Sequence, residues 1–150
     1  MSSADAVGQN TQDNFGNYRL AFVQGQTIAA TGNAVVALPI LSGGIGNGAF
    51  IIRRITVSNP SNIAGGSVPS MAAGNVTILT SNDGNTSNAV TTAAGQTLAN
   101  VTAANTWQDL TLVAGASTAA YTSNALFVKV GVAVANASVN ISVFGDVVGF

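Results

Sequence analysis

Between residues 126 and 148 the apolar side chains recur at every second position. Leu126, Val128, Val130, Val132 and Val134 share one face of an extended chain, and Phe127, Lys129, Gly131, Ala133 and Ala135 share the other. After Asn136 and Ala137 the rhythm resumes, with Val139, Ile141, Val143, Gly145 and Val147 alternating against Ser138, Asn140, Ser142, Phe144 and Asp146. A period of two is the mark of half-buried strands, and the short link between the runs predicts a long hairpin. A slip of one residue would bury the polar row, so register is strongly specified.

Short alternating runs broken by Gly, Asn, Pro and Ser clusters continue from Phe15 to Phe150. They predict strands over 18–23, 27–31, 34–39, 49–58, 75–81, 97–102 and 107–113, ahead of 125–135 and 138–148. Eight or nine strands without helix-period stripes imply an all-β, single-domain β-sandwich over residues 15–150, most simply a jelly roll. Residues 1–14 are polar, small and unpatterned, and read as a flexible N-terminal arm. Adjacent Arg53 and Arg54 must point to opposite faces unless a bulge intervenes, and one of them is expected at an interface or a strand end. Polar connections at 42–48, 59–74, 82–96 and 114–124 are long enough to carry binding.

Composition narrows the chemistry. The chain has no histidine, cysteine or glutamate; its acids are five aspartates and its bases are Arg19, Arg53, Arg54 and Lys129. General acid–base catalysis near neutrality and soft-metal sites both draw on the missing types, so a structural protein without cofactor, metal or catalytic residues is expected. A formal charge of −1 cannot neutralise a run of phosphates, which disfavours nucleic acid and anionic membrane as partners. Charged residues make up only 6% of the chain, few for an isolated soluble monomer, so neighbouring copies are expected to cover part of the surface. The start of the chain has no signal-peptide pattern, and polar residues interrupt the apolar stretch 126–148, which argues against a membrane helix.

The motifs that suggest chemistry are incomplete. The glycine cluster 43–48 lacks a following Gly-Lys-Ser/Thr and leads into a strand, so it reads as a turn. Asp83, Asn85 and Ser87 resemble the start of a calcium loop, but Asn88 stands in place of the turn glycine and Ala94 in place of the bidentate glutamate. Asp109 and Asp146 are the only carboxylates paired within expected strands, both on the outward side by alternation, where solvated strand aspartates are the simpler reading. Trp107, the sole tryptophan, either anchors an interface or lies partly buried at the core edge. Phe15, Tyr18, Arg19 and Phe22 follow the arm directly, and form either a partner contact or a first strand packing on its own sheet.

The arm, the run Ile51-Ile52-Arg53-Arg54-Ile55-Thr56-Val57-Ser58-Asn59, the run Val76-Thr77-Ile78-Leu79-Thr80, and the closing Leu126-Phe127-Val128-Lys129-Val130 with Val139-Asn140-Ile141-Ser142-Val143-Phe144-Gly145 resemble the capsid decoration, or cement, proteins of tailed bacteriophages. The resemblance is one of style over about residues 15–150. It implies a jelly-roll body, a homotrimer on capsid threefold positions, the major capsid protein as partner, and a place on the outer surface of a virion assembled in the host cytoplasm. Partner contacts are expected at Phe15, Tyr18, Arg19, Arg53, Arg54 and Trp107. The alternative is a carbohydrate-binding or host-attachment module, in which loops 59–74 and 82–96 offer Asn, Ser and Thr to sugar hydroxyls.

Overall fold

Over residues 18–30, 35–40 and 49–148, which the computed structural model describes, strands alternate with turns, with one short 3₁₀ turn at Thr86–Asn88. The strands are β1 (Tyr18–Thr27), β2 (Val35–Pro39), β3 (Ala49–Asn62), β4 (Asn75–Leu79), β5 (Gln96–Thr97), β6 (Trp107–Asp109), β7 (Ala125–Val132) and β8 (Ala137–Val148). They form two four-stranded antiparallel sheets, ordered β1-β8-β3-β6 and β2-β7-β4-β5. The pairing is nested: first strand with last, second with second last, and so inward. This is the all-β sandwich that the alternation implies. The expected arm 1–14, Phe15 and the glycine cluster 43–48 lie outside the described residues.

The core lies between the sheets. Phe50, Ile52, Ile55 and Val57 of β3 and Val139, Ile141 and Val143 of β8 are fully buried, as are Leu126 and Val128 of β7, Val76 and Ile78 of β4, and Leu38 of β2. Each such side chain contributes roughly 1.5–3 kcal/mol through burial, so the inward rows fix the register of both sheets.

Two expectations of connectivity are corrected. β7 and β8 do not form a hairpin: β7 lies between β2 and β4, while β8 lies in the other sheet between β1 and β3. Alternation dictates which side chains turn inward but not which strand lies alongside which. The link between them turns at Asn136, in the left-handed region at φ 55°, with Ala137 N–H bonded to the Val134 carbonyl at 3.1 Å. The chain thereby crosses the sandwich, and β8 satisfies its backbone groups on both edges. The break expected between runs 18–23 and 27–31 is also no turn: β1 continues through it with register shifts at Arg19/Ala21 and Val23/Gln26, the second accommodated by Gly25 at φ 68°. Among the described residues no helix is long and apolar enough to cross a membrane.

Candidate binding groove on an outer sheet face

Directly paired residues of antiparallel strands lie on the same face of a sheet, so register alone places a set of polar and aromatic side chains together on the outer face of β1-β8-β3-β6. Phe144 pairs with Arg19 on one side and Arg54 on the other. Ser142 pairs with Phe22 and with Thr56, and Thr56 in turn pairs with Asp109. Ser58 pairs with Asn140 and with Trp107.

The two arginines share this outward side because β3 bulges between Ile52 and Arg54. Ile52 and Ile55 are both buried, whereas Arg53 and Arg54 between them are both exposed. The extra residue spares the sheet a buried guanidinium. The two then diverge. Arg53 Nε donates to Asp146 Oδ2 at 2.7 Å and Nη1 to the Ser117 carbonyl at 2.7 Å, tying the strand to the 114–119 turn. Arg54 lays its guanidinium over the Phe144 ring, 4.5 Å from the centroid. Arg19 repeats this arrangement over Phe22 at 4.7 Å.

Asp146 departs from the solvated strand aspartate expected. Its register is outward, but only 7% of it is exposed, because the Arg53 side chain and the Ser117 turn close over it. Asp109 remains exposed and accepts the Thr56 hydroxyl on Oδ1. The two carboxylates therefore serve separate structural contacts. Asp83 is likewise local: it accepts from Ser81 Oγ, from the Asn85 backbone and from Asn88 Nδ2, and the Ser81 bond leads in holding its carboxyl below the ordinary 3.8. Lys129 Nζ donates to the Gly84 carbonyl at 2.9 Å in the same turn. Among the described residues no group of three His, Cys, Asp or Glu could hold a metal.

Trp107 stands at the edge of this face and is 61% exposed. Its neighbour Gln108 positions it. Gln108 is buried, accepts from the Asn100 N–H at 3.0 Å and donates to the Thr97 carbonyl at 2.8 Å, which locks short β6 to the 97–100 turn. Asn59 and Asn105 flank the indole on left-handed backbone, at φ 48° and 64°, with the Asn59 N–H bonded to the Thr106 carbonyl at 3.1 Å. Together Trp107, Phe144, Arg54, Asp109 and Thr56, with Ser58, Ser142 and the 105–106 turn, line an open groove of about 360 Å³.

Of the partner residues expected from sequence, Arg54 and Trp107 meet in this groove; Arg19 lies on the same face toward β1; Arg53 is turned away into its ion pair; Tyr18 is 44% exposed at the start of β1. Phe144, Thr56 and Asp109 were not expected as groove residues. For Phe144 a signal was present: it is the single aromatic in the polar row Ser138, Asn140, Ser142, Phe144, Asp146. No protein-family model, curated protein or solved structure matches the chain.

Proposed function

We propose that this protein is a structural virion component that decorates and stabilises a bacteriophage capsid, bound to the major capsid protein lattice as a homotrimer. The observation that carries the reading is the β1 edge, where exposed Tyr18 and Arg19 follow the segment 1–14 after three residues, and Arg19 is already stacked on Phe22 at 4.7 Å. A guanidinium held against an aromatic ring loses little freedom on docking, and Arg and Tyr are common interface anchors. The nested strand pairing supports a jelly roll, an architecture suited to side-by-side packing of repeated copies. Each copy needs only modest affinity, since several linked contacts on a repeating lattice act together. The scarcity of charge makes such binding nearly independent of salt.

Capsids assembled without the protein test this. Full-length chain should saturate them with little change as salt is raised, whereas removal of residues 1–14, or Arg19→Ala with Phe22→Ala, should leave a folded protein that no longer stays bound. Native mass spectrometry should give three chain masses. Full occupancy by both variants would overturn the attachment edge, and a strict monomer would overturn the trimer.

A further inference from the structure

The groove runs from Trp107 and Asp109 on the β6 edge across β3 to Ser142 and Phe144 of β8. Its β6 end stands three strand spacings, about 14 Å, from β1, so attachment along β1 leaves Trp107 and Asp109 open, while Phe144 and Ser142 at the far end pair directly with Arg19 and Phe22. The geometry points to a carbohydrate site there: Trp107, Asp109, Arg54, Asn59 and Asn105 bind a neutral pyranose unit of a glycan.

The chemistry of the groove selects this ligand. An indole 61% exposed offers a flat apolar surface, and the C–H face of a pyranose is a flat apolar partner for it. Around that surface the hydrogen-bonding groups are unspent. Asp109 uses Oδ1 for Thr56 while Oδ2 takes no donor from the described residues, and the side-chain amides of Asn59 and Asn105 are equally unpaired among them. An alcohol that both donates and accepts suits a carboxylate beside amides and a guanidinium. The charges of Arg54 and Asp109 cancel, so no anionic or cationic ligand is favoured.

The competing ligands fit less well. A nucleic acid strand could stack on Trp107, but its phosphates would meet Asp109 and a single arginine. An added peptide strand needs a free sheet edge, and the groove floor is β3 and β8, each paired on both sides. Of the loops expected to present amides to a sugar, 59–74 supplies Asn59 to this groove, whereas Asn62 bonds Ser67 and Ala64, Asn85 caps Ser87, and Asn88 holds Ser81 and Asp83. At about 360 Å³ the groove is at the small end of ligand sites, about 300–1,000 Å³, which suits a short stretch of sugar rings.

Because Trp107 is the only tryptophan, intrinsic fluorescence reports directly on the site. The full-length protein is titrated with the methyl pyranosides of glucose, galactose and mannose and with dextran, and in parallel applied to an array of neutral glycans. At least one neutral glycan should give a saturable, salt-insensitive change in emission. Trp107→Ala, read on the array, and Asp109→Asn should each weaken that binding tenfold or more without lowering the unfolding midpoint, and Asp83→Asn should leave it unchanged. No saturable binding to any neutral glycan would overturn the proposal. So would binding that survives both groove variants, or an emission change that follows protein concentration instead of sugar, which would assign the groove to a second copy of the chain. Capsid occupancy is read separately, so failure here leaves the attachment proposal standing.

Discussion

Arg53 reaches Asp146 across the β3–β8 pair at 2.7 Å, and the bulge that turns Arg53 outward is what allows the contact. The partners are unequal: the arginine side chain keeps 34% of its surface in water and the aspartate only 8%. Removing the cation strands a covered anion, whereas removing the anion leaves a cation that water can reach. Arg53→Ala is therefore expected to cost about 2–3 kcal/mol and Asp146→Asn about 1–2 kcal/mol, the former with faster hydrogen exchange in the 114–119 turn that Arg53 also holds. Urea unfolding of both variants, with exchange followed at Thr118 and Ala119, checks the order. Equal costs would mean that Asp146 is better hydrated than its burial indicates.

Two glycines pack closely enough that a methyl group distinguishes their surroundings. A Cβ at Gly145 would lie 1.8 Å from the Ile51 carbonyl oxygen, backbone that is fixed in the β3–β8 ladder. At Gly131 it would lie 2.1 Å from Asn75 Oδ1, a side-chain atom that is buried with no hydrogen-bond partner. Gly145→Ala should destabilise by about 3 kcal/mol or more, with no single compensating substitution. Gly131→Ala should also destabilise, by about 1–3 kcal/mol, but Asn75→Ala in the same chain should recover most of that loss. A double-mutant cycle in denaturant decides: additive costs at 75 and 131 would exclude the direct clash.

Alternation made the sandwich legible, because burial of Leu126, Val128, Val139 and Ile141 follows from spacing alone. The outward placement of both Arg53 and Arg54 was legible as a choice, since adjacent arginines on one strand require either a bulge or a buried charge. What spacing could not supply was adjacency. β7 and β8 are close in sequence and lie in different sheets, while Trp107 reaches Ser58, and Asp109 reaches Thr56, through a pairing only three residues long. The groove depends on that short pairing and on the β3–β8 register, neither of which leaves a local signature. Phe22 and Phe144 carry arginines for the same reason: each cation–ring contact needs both the strand register and the bulges that shift it.

Gln108 connects stability to the groove. Its two buried hydrogen bonds hold β6 against the 97–100 turn, and Trp107 precedes it on the exposed side. Gln108→Ala leaves the Asn100 N–H and the Thr97 carbonyl without their partner and should cost about 1–3 kcal/mol. Trp107 emission should shift to longer wavelength as the indole loses its fixed place, and any glycan affinity should fall even though no groove side chain has changed. Fluorescence and urea unfolding of the one variant read both effects. Lost stability with unchanged emission would show that β3 pairing alone positions the indole.

The Asp83 turn predicts a small stability change at low pH, with a definite sign. Its carboxylate accepts from Ser81, Asn85 and Asn88, so folding favours the ionised form and the pKa lies below the ordinary 3.8. A depressed folded value means that the contribution is complete above the unfolded value, roughly 4, and disappears as pH falls through the folded one. Asp83→Asn should accordingly lower the urea midpoint slightly at neutral pH, and the difference from wild type should shrink in the acid range. The carboxyl ¹³C shift of Asp83 should titrate with a midpoint below 3.8. A midpoint at or above that value would show that the turn accepts the protonated form equally well, and the variant would then track wild type at every pH.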